Sequence, residues 1–247
     1  MSDKSEKLKK EIDSFQNLWH GGTTLSRQGW AHCANDRLKV GVDLNKIYEI
    51  CIKPYINDKI TALEIGTNGG AWLKKMMKAK SLIGLDVLSA EHVGFWNNIP
   101  KVDKVTYHHV KDFSCDCLGE NSIDYLFSYD VFCHISHSGT EEYLKNLHNK
   151  LKKGADCFVM IADSKKYQHQ QSRDKCTRAS GFNSWDNLID DFDGDISIRP
   201  GRWYFYDTDR FCKLLEKYNY ILIDKDVIGK YDAKSPIIHF RKSELSV

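Results

Sequence analysis

The chain has no apolar run long enough to span a bilayer. No apolar signal segment opens it either: it begins MSDKSEKLKKEIDSF. Together these predict a cytoplasmic protein that no membrane helix holds. A basic arm is also missing. The chain carries 36 lysines and arginines against 34 acids, a net charge of +2, and the lysines are scattered. That disfavours a nucleic-acid partner, which usually meets a clear basic face. No second cysteine pair accompanies Cys115 and Cys117 at zinc-finger spacing. Several of the 8 cysteines sit inside strand-like apolar runs, where cysteine behaves as a small hydrophobe. Reduced thiols are therefore expected. There is no internal repeat and no low-complexity segment.

What is present is an alternation. The 247 residues suit one α/β domain with an appended segment. Residues 1–19 carry a helical period through Leu8, Ile12, Phe15 and Leu18. The stretch HGGTTLSRQGW reads as a loop, and DLNKIYEICIKPYI as a helix opened by Asp43 and ended by Pro54. From residue 58 short apolar runs alternate with helical segments. KITALEIG, SLIGLDV, KVTYHHV, SIDYLFSYDV and ADCFVMIA read as strands. AWLKKMMKA and residues 139–152 read as helices, with an exit turn at Lys152–Gly154. Residues 163–202 break the rhythm as a long polar loop, a candidate lid. YDTDRFCKLLEKYN then reads as a helix, and YILIDKDVI and SPIIHFRK as two closing strands. The expected fold is α/β, a doubly wound, mostly parallel, seven-stranded sheet of Rossmann type with an antiparallel C-terminal strand. An N-terminal helical cap over residues 1–57 would precede a domain over 58–247.

The first strand ends in a glycine turn, LEIGTNGGAW. A glycine there lets the backbone turn tightly and lets a ligand approach the start of the next helix. Asn68 stands where a middle glycine is common, and asparagine tolerates positive φ better than most residues. The closing residues Gly70-Ala71-Trp72 do not supply the Gly-Lys-Ser/Thr of a P-loop. Gly66-Thr67-Asn68 also breaks the nicotinamide fingerprint.

The turn resembles the first motif of class I S-adenosylmethionine-dependent methyltransferases, acid-x-Gly-x-Gly-x-Gly. Glu64, Gly66 and Gly70 match it, and Asn68 departs from it. The resemblance implies S-adenosylmethionine as cofactor, with Glu64, Gly66, Thr67, Asn68 and Gly70 along its methionine part. Asp86, twenty residues beyond Gly66, matches the acid that accepts the ribose hydroxyls, with Val87 beside it. Asp112 resembles the acid that reads the adenine amino group, with Phe113 against the ring. IDYLFSYDVFCHIS resembles the family's fourth motif and adds Ser128 and Tyr129 to the expected cofactor contacts. The resemblance covers roughly residues 58–162. The fourth-strand run also resembles that of stand-alone bacterial methyltransferases of glycan and capsule pathways.

Methyl transfer from a sulfonium is an in-line displacement, so the protein must align the acceptor and, for a hydroxyl, remove a proton. His134 and His137 stand where a base is needed, with Asp130 to orient one of them or bind substrate. No acidic ligand pair matches that of the metal-dependent catechol-type enzymes, and no metal is expected. Trp19, His20 and Arg27 on one rim, and Arg202 and Tyr206 on the other, are candidates for acceptor binding. Either arginine would meet an anionic acceptor bidentately. The expected activity is O-methylation of a small polar acceptor: a sugar, a nucleotide-sugar, or a phosphorylated or phosphoramidate intermediate of surface glycan synthesis. A homodimer is compatible with this reading. An RNA or protein methyltransferase is a weaker alternative, because Ser128-Tyr129-Asp130-Val131 replaces the Asn/Asp-Pro-Pro-aromatic motif of amide and exocyclic-amine enzymes. A non-catalytic cofactor-binding module is another.

Overall fold

The computed structural model describes residues 2–18, 30–191, 202–231 and 235–243. Strands β1 (Thr61–Ile65), β2 (Ser81–Asp86), β3 (Val105–His109), β4 (Ile123–Ser128), β5 (Leu151–Met160), β6 (Tyr220–Asp224) and β7 (Ile237–Lys242) form one sheet. Its order is β3-β2-β1-β4-β5-β7-β6. The pairs from β3 through β5 are parallel, and β7 runs antiparallel to both β5 and β6. This is the expected Rossmann-like, doubly wound sheet. The strand order reverses between β1 and β4, which opens a crevice at their carboxyl ends.

The central strands β1, β2, β4, β5 and β7 are largely buried, the edge strands β3 and β6 are more exposed, and alternate residues feed two core layers. Leu63, Leu126, Val159 and Phe240 enter one layer; Ala62, Phe127, Phe158 and Ile237 enter the other. The first layer is closed by α1 (Ser2–Leu18) through Ile12 and Phe15, by α5 (His137–Lys150) and by α8 (Thr208–Lys217). In α8, Phe211, Leu214 and Leu215 recur at helical spacing on the sheet side. The second layer is closed by α2 (Trp30–Lys39) and α3 (Leu44–Ile47). The N-terminal segment is thus shared between the two faces of the sheet. Along the chain, α4 (Phe95–Asn98) lies between β2 and β3, and α6 (Gln170–Ser180) and α7 (Trp185–Asp190) follow β5.

Local chemistry explains the element ends. Asp43 caps α3 by accepting the Lys46 N–H at 3.0 Å, and the following wide turn Tyr48–Ile52 stops before Pro54. Ser136 caps α5 by accepting the Gly139 N–H at 3.0 Å. The Glu11 carboxylate from α1 reinforces that cap, accepting the Ser136 N–H at 2.5 Å and the Ser136 hydroxyl at 2.7 Å. A carboxylate at a helix N-terminus is favoured by the unpaired amides there.

Three expectations are corrected. AWLKKMMKA holds only a 3₁₀ turn, Leu73–Met76; that geometry aligns residues three apart, and both Leu73 and Met76 are fully buried. Lys152–Gly154 lies inside β5 rather than in a turn, as an irregularity of the β4–β5 register with Gly154 at φ 72°. Residues 163–191 are not a loop. Gly181, at φ 78°, ends α6, and Ser184 accepts the Asn187 N–H at 3.2 Å to start α7. Leu188 from α7 reaches the core. The remainder of the expected lid, 192–201, lies outside the described residues.

Candidate active site

A cavity of about 780 Å³ opens where the strand order reverses. Its floor is the glycine turn. The Gly66 N–H donates to the Leu85 carbonyl at 2.7 Å, which ties the end of β1 to β2. Gly66 and Gly70 sit at φ 70° and 79°, and Asn68 at φ 46°. Asparagine thus occupies the left-handed conformation the turn demands. A side chain at Gly66 would collide with Val131, whose Cγ2 lies 2.2 Å from the position of a Cβ.

Two buried carboxylates face this floor. Asp86 accepts the Asn68 N–H at 2.7 Å through one oxygen and the Leu88 N–H at 2.9 Å through the other. Glu64 accepts the Thr67 hydroxyl at 2.9 Å. Burial pushes both carboxyls up, Glu64 well above the ordinary carboxylate range. Val87, Phe113 and Tyr129 also line the cavity. Other expected contacts do not. Asp112 is exposed and turns back to accept the Ser114 N–H at 2.9 Å. Ser128 is buried and donates to the Ile65 carbonyl at 3.0 Å, joining β4 to β1. His109 contacts the Val87 carbonyl at 3.0 Å, a supporting position behind the cavity wall.

The opposite end is built by the exit of β4. Asp130 stands at φ 63°, and its Oδ2 accepts from Arg37 of α2 at 3.1 Å. The 3₁₀ turn Phe132–His134 follows. The His134 Nδ1–H donates to the Arg202 carbonyl at 3.1 Å. A carbonyl only accepts, so in the neutral ring Nε2 carries the lone pair. Trp203 packs edge-on against the ring, with centroids 4.7 Å apart. Asp130, His134 and Trp203 all line the cavity.

The second histidine is placed elsewhere. His137 lies in the first turn of α5, packed against Tyr206 at 4.4 Å between ring centroids, and does not line the cavity. Arg202 is not presented to the cavity either. It is 3% exposed, and its guanidinium donates to the Asp191 carboxylate at 2.8 Å and to the Asp191 carbonyl at 2.6 Å. An arginine so committed anchors the segment after β5 and aims its own carbonyl at His134. Tyr206 packs beside His137 rather than on the rim. Trp19, His20 and Arg27 lie outside the described residues.

Sequence reasoning missed Arg37, Lys175, Trp72 and Met160, which all line the cavity. Arg37 belongs to α2, a segment whose polar text WAHCANDRLK buries Cys33 and Ala34 and packs Trp30 against the core. Trp72 follows the glycine turn directly, and its buried indole N–H has no hydrogen-bond partner among the described residues.

A family model described as a methyltransferase domain matches residues 45–225. The chain belongs to that family. No curated protein matches this methyltransferase by sequence. Among solved structures, it resembles a Haloferax volcanii chain in complex with the Trm112 methyltransferase activator, with TM-score 0.59 and 13% identity, covering 89% of this chain and 96% of that one. It resembles an S-adenosylmethionine-dependent methyltransferase from Methanosarcina mazei with TM-score 0.54 and 16% identity, covering 78% and 96%. It also resembles a Haemonchus contortus phosphoethanolamine N-methyltransferase in complex with phosphomonomethylethanolamine and S-adenosylhomocysteine. That match has TM-score 0.55 and 14% identity, and covers 82% of this chain and 53% of the other.

The cofactor of this methyltransferase is S-adenosylmethionine, and the donor set fits it. Two buried carboxylates beside a glycine turn suit a ligand that brings an ammonium group and hydroxyl donors. Asp86 would hold the ribose hydroxyls, Glu64 the amino group, and Phe113 the adenine ring. The raised carboxyls make binding pH-dependent. Burial raises both carboxyls in the ligand-free protein, Glu64 the more, and a cationic partner favours the ionised form. Binding must therefore release protons, and affinity must rise with pH until the raised pKa is passed. Calorimetry of S-adenosylhomocysteine binding at mildly acidic pH, in two buffers of different ionisation enthalpy, should show net proton release. Identical heats in both buffers would contradict this.

Proposed function

We propose that the chain O-methylates a small polar acceptor and that His134 removes the acceptor proton. One observation carries this reading: a cavity-lining imidazole whose Nδ1 is fixed by a backbone carbonyl. The bound cofactor supplies an electrophilic methyl group. His134 Nε2 takes the hydroxyl proton, Asp130 and Arg37 orient the acceptor, and Trp72, Trp203 and Met160 exclude water. Lys175 and the Arg37–Asp130 pair make this end of the cavity polar, which suits a polar acceptor. α2 contributes Cys33, Asp36 and Arg37 to the wall, consistent with a covering role for the N-terminal segment. A place in surface-glycan synthesis rests on the sequence resemblance alone.

The test is transfer of an isotope-labelled methyl group to a panel of sugars, sugar phosphates and nucleotide-sugars. Labelled methyl ether on a phosphorylated acceptor is the expected product. Transfer only to amines, to RNA or to protein would overturn the proposal.

A further inference from the structure

One peptide unit from far along the chain holds the His134 ring. The Arg202 carbonyl accepts from His134 Nδ1 at 3.1 Å. The N–H of the same unit, on Trp203, donates to the Ser180 hydroxyl at 3.0 Å. In a trans peptide these two groups point in opposite directions. The unit therefore bridges the end of α6 and the exit turn of β4. We infer that Ser180 and Asp191 are positioning residues that act through this peptide to hold His134 in the tautomer with hydrogen on Nδ1. The inference rests on the reading of His134 as base only for its consequence on turnover.

Each anchor has its own part. Ser180 is the last residue of α6 and is 1% exposed. Its hydroxyl fixes which way the peptide plane faces. Asp191 fixes where the unit sits. Both terminal nitrogens of the Arg202 guanidinium go to this one residue, Nη1 to the carboxylate and Nη2 to the backbone carbonyl. Arg202 Nε has no hydrogen-bond partner among the described residues. The rings of Tyr204 and Phe182 flank the guanidinium, with centroids 4.3 and 5.0 Å from its carbon. A cation buried among rings depends on its carboxylate, and removing that partner leaves an uncompensated charge. The segment meets the turn at three successive residues: the Arg202 carbonyl and the Trp203 ring on His134, and the Tyr204 N–H on the Cys133 carbonyl at 2.8 Å.

The tautomer matters to the chemistry. A neutral imidazole in water favours hydrogen on Nε2, and in that form Nε2 donates and takes no proton. A carbonyl facing Nδ1 accepts and does not donate, so it selects the other form and leaves the lone pair on Nε2. Holding a catalytic imidazole in the wrong tautomer lowers turnover even where its position is kept.

The experiment is nitrogen-15 NMR of the full chain with labelled histidine, at mildly alkaline pH, where an imidazole is neutral. The signal missing from His134→Gln identifies the ring. Its nitrogen shifts should show the Nδ1–H form in the wild type. Ser180→Ala and Asp191→Ala should each move it toward the Nε2–H form. Asp191→Asn, which keeps an acceptor oxygen, should move it less. Asp186→Ala, at an exposed acid of α7, should leave it unchanged. Calorimetry should give the wild-type affinity for S-adenosylhomocysteine in every variant. On the acceptor that takes label, turnover of Ser180→Ala and Asp191→Ala should fall by about tenfold or more at saturating cofactor. An Nε2–H ring in the folded wild type would overturn the inference, and so would the wild-type tautomer in either alanine variant. A moved tautomer with full turnover would instead count against His134 as base, so the two failures are distinguishable.

Discussion

His134→Gln should lower methyl-transfer turnover by about 100-fold to 10,000-fold, the range of a positioned acid–base group, while leaving S-adenosylhomocysteine affinity unchanged. The expectation follows from where the ring sits. His134 lines the cavity at the exit of β4, away from Asp86 and Glu64 at the ends of β2 and β1. Glutamine retains an N–H for the Arg202 carbonyl and so preserves the contact that holds the segment after β5. It has no ring nitrogen to take the acceptor proton, so turnover should fall while the fold is kept. His137→Gln supplies the contrast. That ring is buried in α5 against Tyr206, so its replacement should lower stability without a comparable loss of turnover per folded molecule. Steady-state kinetics with thermal melting on both variants checks the pair. Equal losses from the two histidines, or full turnover without His134, would contradict the assignment.

Gly66→Ala should lower stability by about 2–5 kcal/mol and abolish cofactor binding. Two penalties combine. The left-handed backbone costs a side chain about 1–2 kcal/mol, and Gly66 stands at φ 70°. A methyl group would also lie 2.2 Å from Val131 Cγ2, and overpacking of this kind costs about 1–3 kcal/mol. For a chain of this size each kcal/mol moves Tm by about 2–4 °C. Adding Val131→Ala separates the two contributions: it removes the collision and leaves the backbone strain, so it should recover part of the lost stability. A Gly66→Ala protein as stable as the wild type would show that the turn is not built as described.

Much of this arrangement was legible in the residues. The alternation of apolar runs with helical segments gave a parallel sheet, because strands covered on both faces read as continuous apolar text. Asn68 in the glycine turn was readable as a φ-positive position, and it stands at φ 46°. Asp86 was readable as the acid at the end of the second strand. Less legible was anything set by a distant partner. Arg202 looked like an anion binder, but Asp191 takes its guanidinium and leaves only its carbonyl for the site. His134 and His137 looked equivalent; the Ser136 cap between them starts α5 and turns the second ring into the core. Arg37 meets Asp130 across 93 positions of sequence, a distance over which no local pattern speaks. The helices after β5 were hidden by polar composition, although Gly181 and Ser184 marked their ends.

The account is tested most directly by calorimetric titration of the folded chain with S-adenosylhomocysteine, alongside Asp86→Ala. Asp86 is the buried carboxylate assigned to the ribose hydroxyls, and hydrogen bonds to a charged group are worth about 1.5–3 kcal/mol each. The account predicts one site of micromolar affinity in the wild type and a loss of about 100-fold or more in the variant. No binding to well-folded wild-type protein, or equal binding by the variant, would contradict it.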